Sequence, residues 1–404
     1  MDHYLDRLKN GTLKLHALEK ELPVQEAVRV RRAFIERETG VPLPRIGDFT
    51  FDPSRAVQRN IENMIGAVQI PLGVAGPLHL RGDHAQGQFW LPLATTEGAL
   101  VASVNRGCVA ITRAGGAVVR LIREGMTRAP AFAARDVAHA VEVVRWVEGN
   151  LPRLQEAAAA TTSHGRLTGA ACYLAGPTVF VRLEFDTKDA MGMNMVTIAS
   201  EKAAGVIEQE TGARLIALSG NMCTDKKPAA INMILGRGKS VVAGIQIPEA
   251  VVQGVFKTTG PVLADVNYRK NLLGSARAGS LGFNAHAANI IAALYLACGQ
   301  DAAHVVEGSS CITTVEQGEG GVYVSVTLPA VQVGTVGGGT GLDTQREALA
   351  LLGVAGGGDP PGSHARKFAE IVAGGVLAGE LSLLGALAAH HLARAHRDLG
   401  RGKA

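Results

Sequence analysis

The chain has 404 residues, too many for one ordinary domain and about right for two or three. At 47% hydrophobic it can bury large cores, and with 4% aromatics Ala, Val, Leu and Ile must fill them. A net charge of +4 with no long Lys/Arg block excludes a nucleic-acid footprint, and five cysteines without a CxxC pair exclude a disulfide framework or zinc ribbon and point to a reducing cytoplasm.

The first residues, MDHYLDRLKNG, lack the apolar core of a signal peptide. Residues 18–38 read as an amphipathic helix stopped by Gly40, within a helical N-terminal segment 1–60. Glu62 and Asn63 precede the apolar IPLGVAGPL, which reads as a buried strand and turn. Residues 86–93 alternate as a strand does. Thr95 or Thr96 caps the next helix, whose apolar face is Leu100, Val104, Cys108 and Ile111. Glu97 falls in its first turn, where a carboxylate complements the helix dipole. Asn105 and Arg106 follow on the same helix.

From 130 to 217 the texture changes. A helical run (134–148) leads to a strand whose Val179, Val181, Leu183 and Phe185 alternate; DAMGMNM and a helix (197–210) follow. This reads as a compact α+β insertion. Gly192 lets backbone approach a ligand at a helix entrance, where N–H groups favour phosphate. The same residues also read as a Met-rich core turn. No G-x-G-x-x-G occurs, so a Rossmann fold is not expected. GRGKS at Gly236 fails as a phosphate loop because Met233 stands where glycine is needed. HExxH is absent, and His390, His391 and His396 lack a metal-pair spacing with a carboxylate, so no metal is expected.

The next stretch, SGNMCTDKKPAAINMILGRGK from Ser219, places Asp225, Lys226 and Lys227 before Pro228. Proline holds Lys227 extended and can open a helix, so the triplet lies on a short loop between two apolar runs. A partly desolvated lysine there suits a developing negative charge; the alternative is a solvated turn. A strand (240–247) follows, then Lys270 and Asn271, then an apolar helix (284–298) that carries Asn289 and is stopped by Gly299. Asp301 just beyond reads as a turn former. Residues 321–333 alternate as a strand, VGGGTG is flexible, and 356–362 form a surface loop. The apolar run 371–392 holds Glu380 and two histidines, which favours a buried helix over a membrane span. Leu377, Leu381, Leu384 and Ala388 share its face, and it ends near His396. Two carboxylates, a lysine, a histidine and several cations suit carbonyl reduction of an anionic substrate.

TDKKPAAIN resembles a signature of class I 3-hydroxy-3-methylglutaryl-CoA (HMG-CoA) reductases. ENMIGAVQIPLGVAGPL, ATTEGALVASVNRGC, DAMGMNM, GQDAA, VGGGT and LAGELSLLGALAAHHLARAH resemble further family segments in the same order, from about Glu62 to His396. The likeness is to the soluble prokaryotic form. It implies an α/β (α+β) fold: a large HMG-CoA-binding domain around a long central helix (61–129 and 218–404) with a small α+β NADP(H)-binding domain (130–217) inserted. It implies reduction of HMG-CoA by two NADPH to mevalonate and CoA, in a cytoplasmic homodimer or higher homo-oligomer with the ENMIG segment near a subunit contact. By resemblance the catalytic residues are Glu97, Lys226, Asp301 and His396, with Asp301 raising the pKa of Glu97. Arg128, Ser219, Asp225, Lys227, Lys270 and Asn289 contact substrate. Asn105, Arg106, Asp189, Met191, Gly192, Met193 and Asn194 contact the cofactor. His164 stands where an arginine is expected near the cofactor 2′-phosphate, so some NADH use is expected too. A non-proline cis peptide is implied at Cys223–Thr224. No Ser or Thr follows His396, so the family's serine phosphorylation should be absent. The rivals are an NADH-using class II reductase that runs mevalonate oxidation and a catalytically dead CoA-binding protein. The class I form of the DKKP loop argues against the first, and the presence of all four catalytic residues against the second.

Overall fold

The computed structural model describes residues 1–162 and 164–400, with side chains through His390. Ten strands form one mixed assembly. They are β1 (Leu72–Gly82), β2 (Gln86–Ala94), β3 (Ala117–Arg128), β4 (Ala131–Ala133), β5 (Arg166–Ala175), β6 (Thr178–Asp186), β7 (Arg214–Ala217), β8 (Gly238–Pro248), β9 (Ile312–Gly318) and β10 (Gly321–Val331). Among the named strands of the described residues, β1 and β3 pair in parallel and the other ladders are antiparallel. The α+β description therefore fits, and a doubly wound parallel sheet does not. β3 is the shared strand. Its first part pairs with β8, and Met126–Arg128 then pair with Phe185–Leu183 of β6.

Apolar side chains gather into separate clusters. The largest packs β1, β2, β8 and β10 around the final helix. A second lies between β4 to β6 and the helix Met193–Thr211, where Val179, Val181, Leu183 and Phe185 are all buried as their alternation requires. Two smaller clusters hold the N-terminal helices.

The final helix, Ser363–Gly400, is the spine of the larger cluster. Every residue from 368 to 382 is buried. The most apolar 18-residue window within residues 363–390 has a mean hydropathy of 1.8, long and apolar enough to cross a membrane, yet 83% of that window is buried inside the fold. Its two buried carboxylates are satisfied. Glu370 accepts the N–H groups of Asp83, His84 and Ala85; Glu380 accepts those of Ala285 and His286 and the Thr313 hydroxyl. The helix Leu100–Arg113 crosses it with backbone almost touching backbone, since a Cβ on Gly107 would lie 1.9 Å from the Ala378 carbonyl oxygen.

Several sequence expectations shift. The helix expected over 18–38 splits. A 3₁₀ turn, Leu15–Lys20, ends before Pro23, and the α-helix is Val24–Thr39, closed by left-handed Gly40. Neither Thr95 nor Thr96 caps the next helix. Left-handed Ala99 delays its start to Leu100, so Glu97 lies in the preceding loop, outside the first turn, and its N–H bonds to the Thr95 hydroxyl. IPLGVAGPL is only partly buried, with Val68, Ile70, Leu72 and Val74 exposed around its start. The Cys223–Thr224 bond is trans; the cis bonds are Gly76–Pro77 and Asp359–Pro360. The lysine loop turns instead through positive φ at Asn221, Thr224 and Lys226.

Gly107→Ala is expected to destabilise the fold by about 1–3 kcal/mol, because the added methyl meets fixed backbone. Urea unfolding checks this: the midpoint should fall with the slope unchanged.

Candidate active site

The lysine loop hangs between β7 and the short helix Ala230–Leu235. At its tip, Lys226 Nζ lies 2.7 Å from Asp301 Oδ2, with both side chains partly exposed. Burial pushes the Asp301 carboxyl up, but hydrogen bonds from Lys226 and the Ala303 N–H outweigh it and hold the group below the usual carboxylate range. Asp301 is also the N-cap of the turn Ala302–His304. The turn-former reading and the ion pair are thus compatible.

Beneath the tip, Asp225 meets cations on several sides. Arg237 Nη2 is 3.1 Å away, His304 Nε2 3.0 Å and Arg128 Nη1 3.5 Å. Burial opposes its ionisation, yet His304, Arg237 and Arg128 together hold its carboxyl far below the ordinary value. Arg128 also donates to the Thr197 hydroxyl, tying β3 and the lysine loop to the helix Met193–Thr211. Lys227 Nζ returns to the Asp225 carbonyl at 3.1 Å, and Ser219 Oγ lies 3.4 Å from Cys223 Sγ.

Glu97 is exposed and accepts from Asn289 Nδ2 at 3.2 Å. Asn289 in turn sits 3.4 Å from His286 Nδ1, and His286 Nε2 lies 2.8 Å from the Gly379 carbonyl of the central helix. Two groups therefore assemble: Lys226 with Asp301, and Glu97 with Asn289. No described hydrogen bond links one group to the other. Lys270 is exposed on the π-helical segment Asn267–Gly274, with no described contact to either group. His396 lies outside the residues whose side chains are described.

The residues expected at the cofactor divide. Asn105 accepts the Gly76 N–H at 3.0 Å, and Arg106 donates to the Ser382 hydroxyl and carbonyl, each at 3.0 Å. Gly192 is left-handed (φ 88°) and opens the helix Met193–Thr211; a Cβ there would lie 2.6 Å from Thr187. Met191 and Met193 are half-buried and Asn194 is exposed. This helix entrance leaves N–H groups available for a phosphate, which fits a dinucleotide. Asp189 is different. Its carboxylate is buried and accepts the N–H groups of Gly358, Gly362 and Ala365 at the start of the central helix, and its backbone carbonyl accepts from Thr335. DAMGMN and VGGGT, distant in sequence, are thereby joined, and the Asp189 carboxylate faces the protein interior.

Sequence reasoning missed Arg237, His304 and Glu307, all buried beneath the lysine loop. Arg237 lies inside GRGKS, which the phosphate-loop test set aside, and His304 and Glu307 sit three and six residues after Asp301. That three-residue recurrence of ionisable groups in an otherwise apolar turn was the available signal.

A lysine paired with a carboxylate, above a buried layer of carboxylates and cations, is a set of groups suited to polarising a carbonyl. The sequence profile of the family Hydroxymethylglutaryl-coenzyme A reductase matches residues 27–401, and the chain belongs to that family. It is 55% identical to the 3-hydroxy-3-methylglutaryl-coenzyme A reductase of Pyrococcus abyssi, over 99% of this chain and 100% of that one. It is 56% identical to that of Methanothermobacter thermautotrophicus, over 98% and 99%. Reductase 1 of Dictyostelium discoideum is 44% identical, over 100% of this chain and 74% of its own. Among solved structures, the NADPH-bound class II reductase of Streptococcus pneumoniae in open conformations shares the fold, with a TM-score of 0.67 and 20% identity over 93% of this chain and 100% of that one.

Burial opposes Asp189 ionisation, and its three backbone N–H partners outweigh that and lower its pKa. The stabilisation it contributes is therefore complete above the unfolded value of about 3.9 and is lost as pH falls through the lower folded value. Asp189→Ala should cost about 3 kcal/mol at pH 7, where three buried N–H groups lose their acceptor. Between pH 5 and acid, stability of the variant should fall less steeply than that of the parent by denaturant titration at each pH.

Proposed function

We propose that this chain reduces HMG-CoA to mevalonate and free CoA in two hydride steps, consuming two NADPH and two protons. The observation that carries this reading is the 2.7 Å ion pair between Lys226 and Asp301 in a chain of this family. The entrance of the helix Met193–Thr211 would hold NADPH, which when bound would supply the hydride for each reduction. Lys226 neutralises the oxygen that becomes anionic, and Asp301 keeps Lys226 charged. Glu97, oriented by Asn289, protonates that oxygen. Arg128, Ser219, Lys227 and Lys270 hold the substrate carboxylate, and Asp225 arranges Arg128 around it. Asn105, Arg106, Met191, Gly192, Met193 and Asn194 line the cofactor side. His396 protonates the departing CoA thiolate. The class I form of the DKKP loop supports the biosynthetic form over the class II alternative.

The division of labour is a helical segment 1–60, a large substrate domain (61–129 and 218–404) and a small cofactor domain (130–217), a reading that the separate apolar clusters support. The exposed apolar row Val68, Ile70, Leu72 and Val74, with Trp90 nearby in sequence on β2, supports a homodimer closed over this segment in the cytoplasm.

HMG-CoA-dependent oxidation of NADPH is the direct assay, and no turnover by the intact protein would refute the reading. Lys226→Ala should lose about 2.7–4 kcal/mol of transition-state stabilisation on HMG-CoA and on added mevaldehyde alike, because each reduction creates an oxyanion. His396→Gln should cripple HMG-CoA reduction and spare mevaldehyde, which has no thiolate to protonate. Equal losses on both substrates would remove His396 from that role.

A further inference from the structure

Asp301, His304 and Glu307 stand at steps of three residues on one continuous helical segment, the turn Ala302–His304 followed by the short helix Val305–Gly308. That spacing aims all three side chains at the lysine loop. Asp301 takes the Lys226 ammonium. His304 Nε2 takes the Asp225 carboxylate at 3.0 Å, with Nδ1 4.0 Å from Asp301 Oδ2. Glu307 Oε1 accepts the Lys226 backbone N–H at 2.9 Å and Arg237 Nη1 at 2.8 Å.

We propose that His304 and Glu307 are positioning residues for the reactive lysine, forming with Asp301 a comb that fixes Lys226 at its backbone, its side chain and its neighbour Asp225. The proposal rests on the function assigned above to Lys226. Lys226 has a φ of 57°, a left-handed conformation that a lysine enters only when its surroundings compensate the cost. The bond to Glu307 is that compensation. It is made where water does not compete, since the side chains of Arg237, Glu307 and His304 have no exposed surface.

The charges around the comb require one another. Burial pushes the Glu307 carboxyl up, against the pull of Arg237, His304 and the Lys226 N–H. Asp225, Arg237, His304 and, more distantly, the buried Tyr295 phenol are the other ionisable groups facing it. Asp225, His304 and Glu307 bring ligand-type atoms within 4.8 Å of one another, the separation of a cation site. Arg237 contacts both carboxylates, however, and its guanidinium takes the place a metal would occupy. Glu307 Oε2 and His304 Nδ1 are buried without a hydrogen-bond partner among the described residues.

The test compares Glu307→Gln, which keeps an acceptor for the Lys226 N–H, with Glu307→Leu, which does not. The double variant Arg237→Met/Glu307→Leu removes the buried pair together and guards against misfolding from an unpaired guanidinium. Three readouts are taken: kcat, KM, and amide hydrogen exchange of the peptide spanning 219–228. The expected result is a kcat in the Leu and double variants lower by about tenfold to a hundredfold on both HMG-CoA and mevaldehyde. KM should stay within about twofold, exchange in that peptide should accelerate, and Gln should recover most of the kcat. Wild-type kcat in the double variant, unchanged exchange, or a loss appearing in KM alone would overturn the proposal. If the unaltered protein turns over no HMG-CoA, the functional reading fails, and the exchange comparison still decides whether the comb holds the loop.

Discussion

A helix buried on every side constrains everything that touches it. The spine from Phe368 to Ser382 has no exposed residue, so its polar atoms must find partners within the protein and its neighbours must approach closely. Glu370 and Glu380 meet the first demand by accepting backbone N–H groups from the turn after β1 and from the entrance of the helix Ala287–Ala297. Gly107 meets the second. A membrane span would have no use for two such carboxylates, and here each anchors a turn of chain.

The site inherits its geometry from that spine. Glu380 holds the backbone at His286, His286 reaches back to Gly379, and Asn289 one turn later holds Glu97. At the N-terminal end of the same helix, Asp189 caps the approach and fixes the start of the methionine-rich segment. Glu97 and the methionine-rich segment are therefore referenced to one rigid element. The lysine loop is held differently, by ion pairs and a backbone hydrogen bond to Glu307 in a dry cluster, where a hydrogen bond to charge is stronger than in water.

Buried charge explains why the loop tolerates its own chemistry. Arg237 stands between Asp225 and Glu307, and removing it would leave the buried Glu307 carboxylate without its guanidinium partner. The exposed pair Lys226–Asp301 lies above this layer.

Local pattern determined much on its own. Alternation marked β2, β6 and β10, apolar periodicity marked the helix Leu100–Arg113, and Glu380 in an apolar run marked a helix that belongs inside a protein. Ordered motifs were enough to recognise the family, because each motif is contiguous and needs no folding to be seen. Contacts made across the chain were beyond that reach. Pro23 and Ala99 moved helix starts through backbone conformation that neighbouring packing selects, and the lysine loop turned through left-handed residues with a trans Cys223–Thr224 bond. Asp189 reads as a ligand contact in sequence, and its carboxylate's bonds to a helix start about 170 residues later could not be read there. His304 and Glu307 look like polar residues on a short turn until Asp225, Lys226 and Arg237 are brought over them. An ionisable side chain's role is set by which charges and N–H groups lie within a few ångströms, and only the tertiary structure decides that distance.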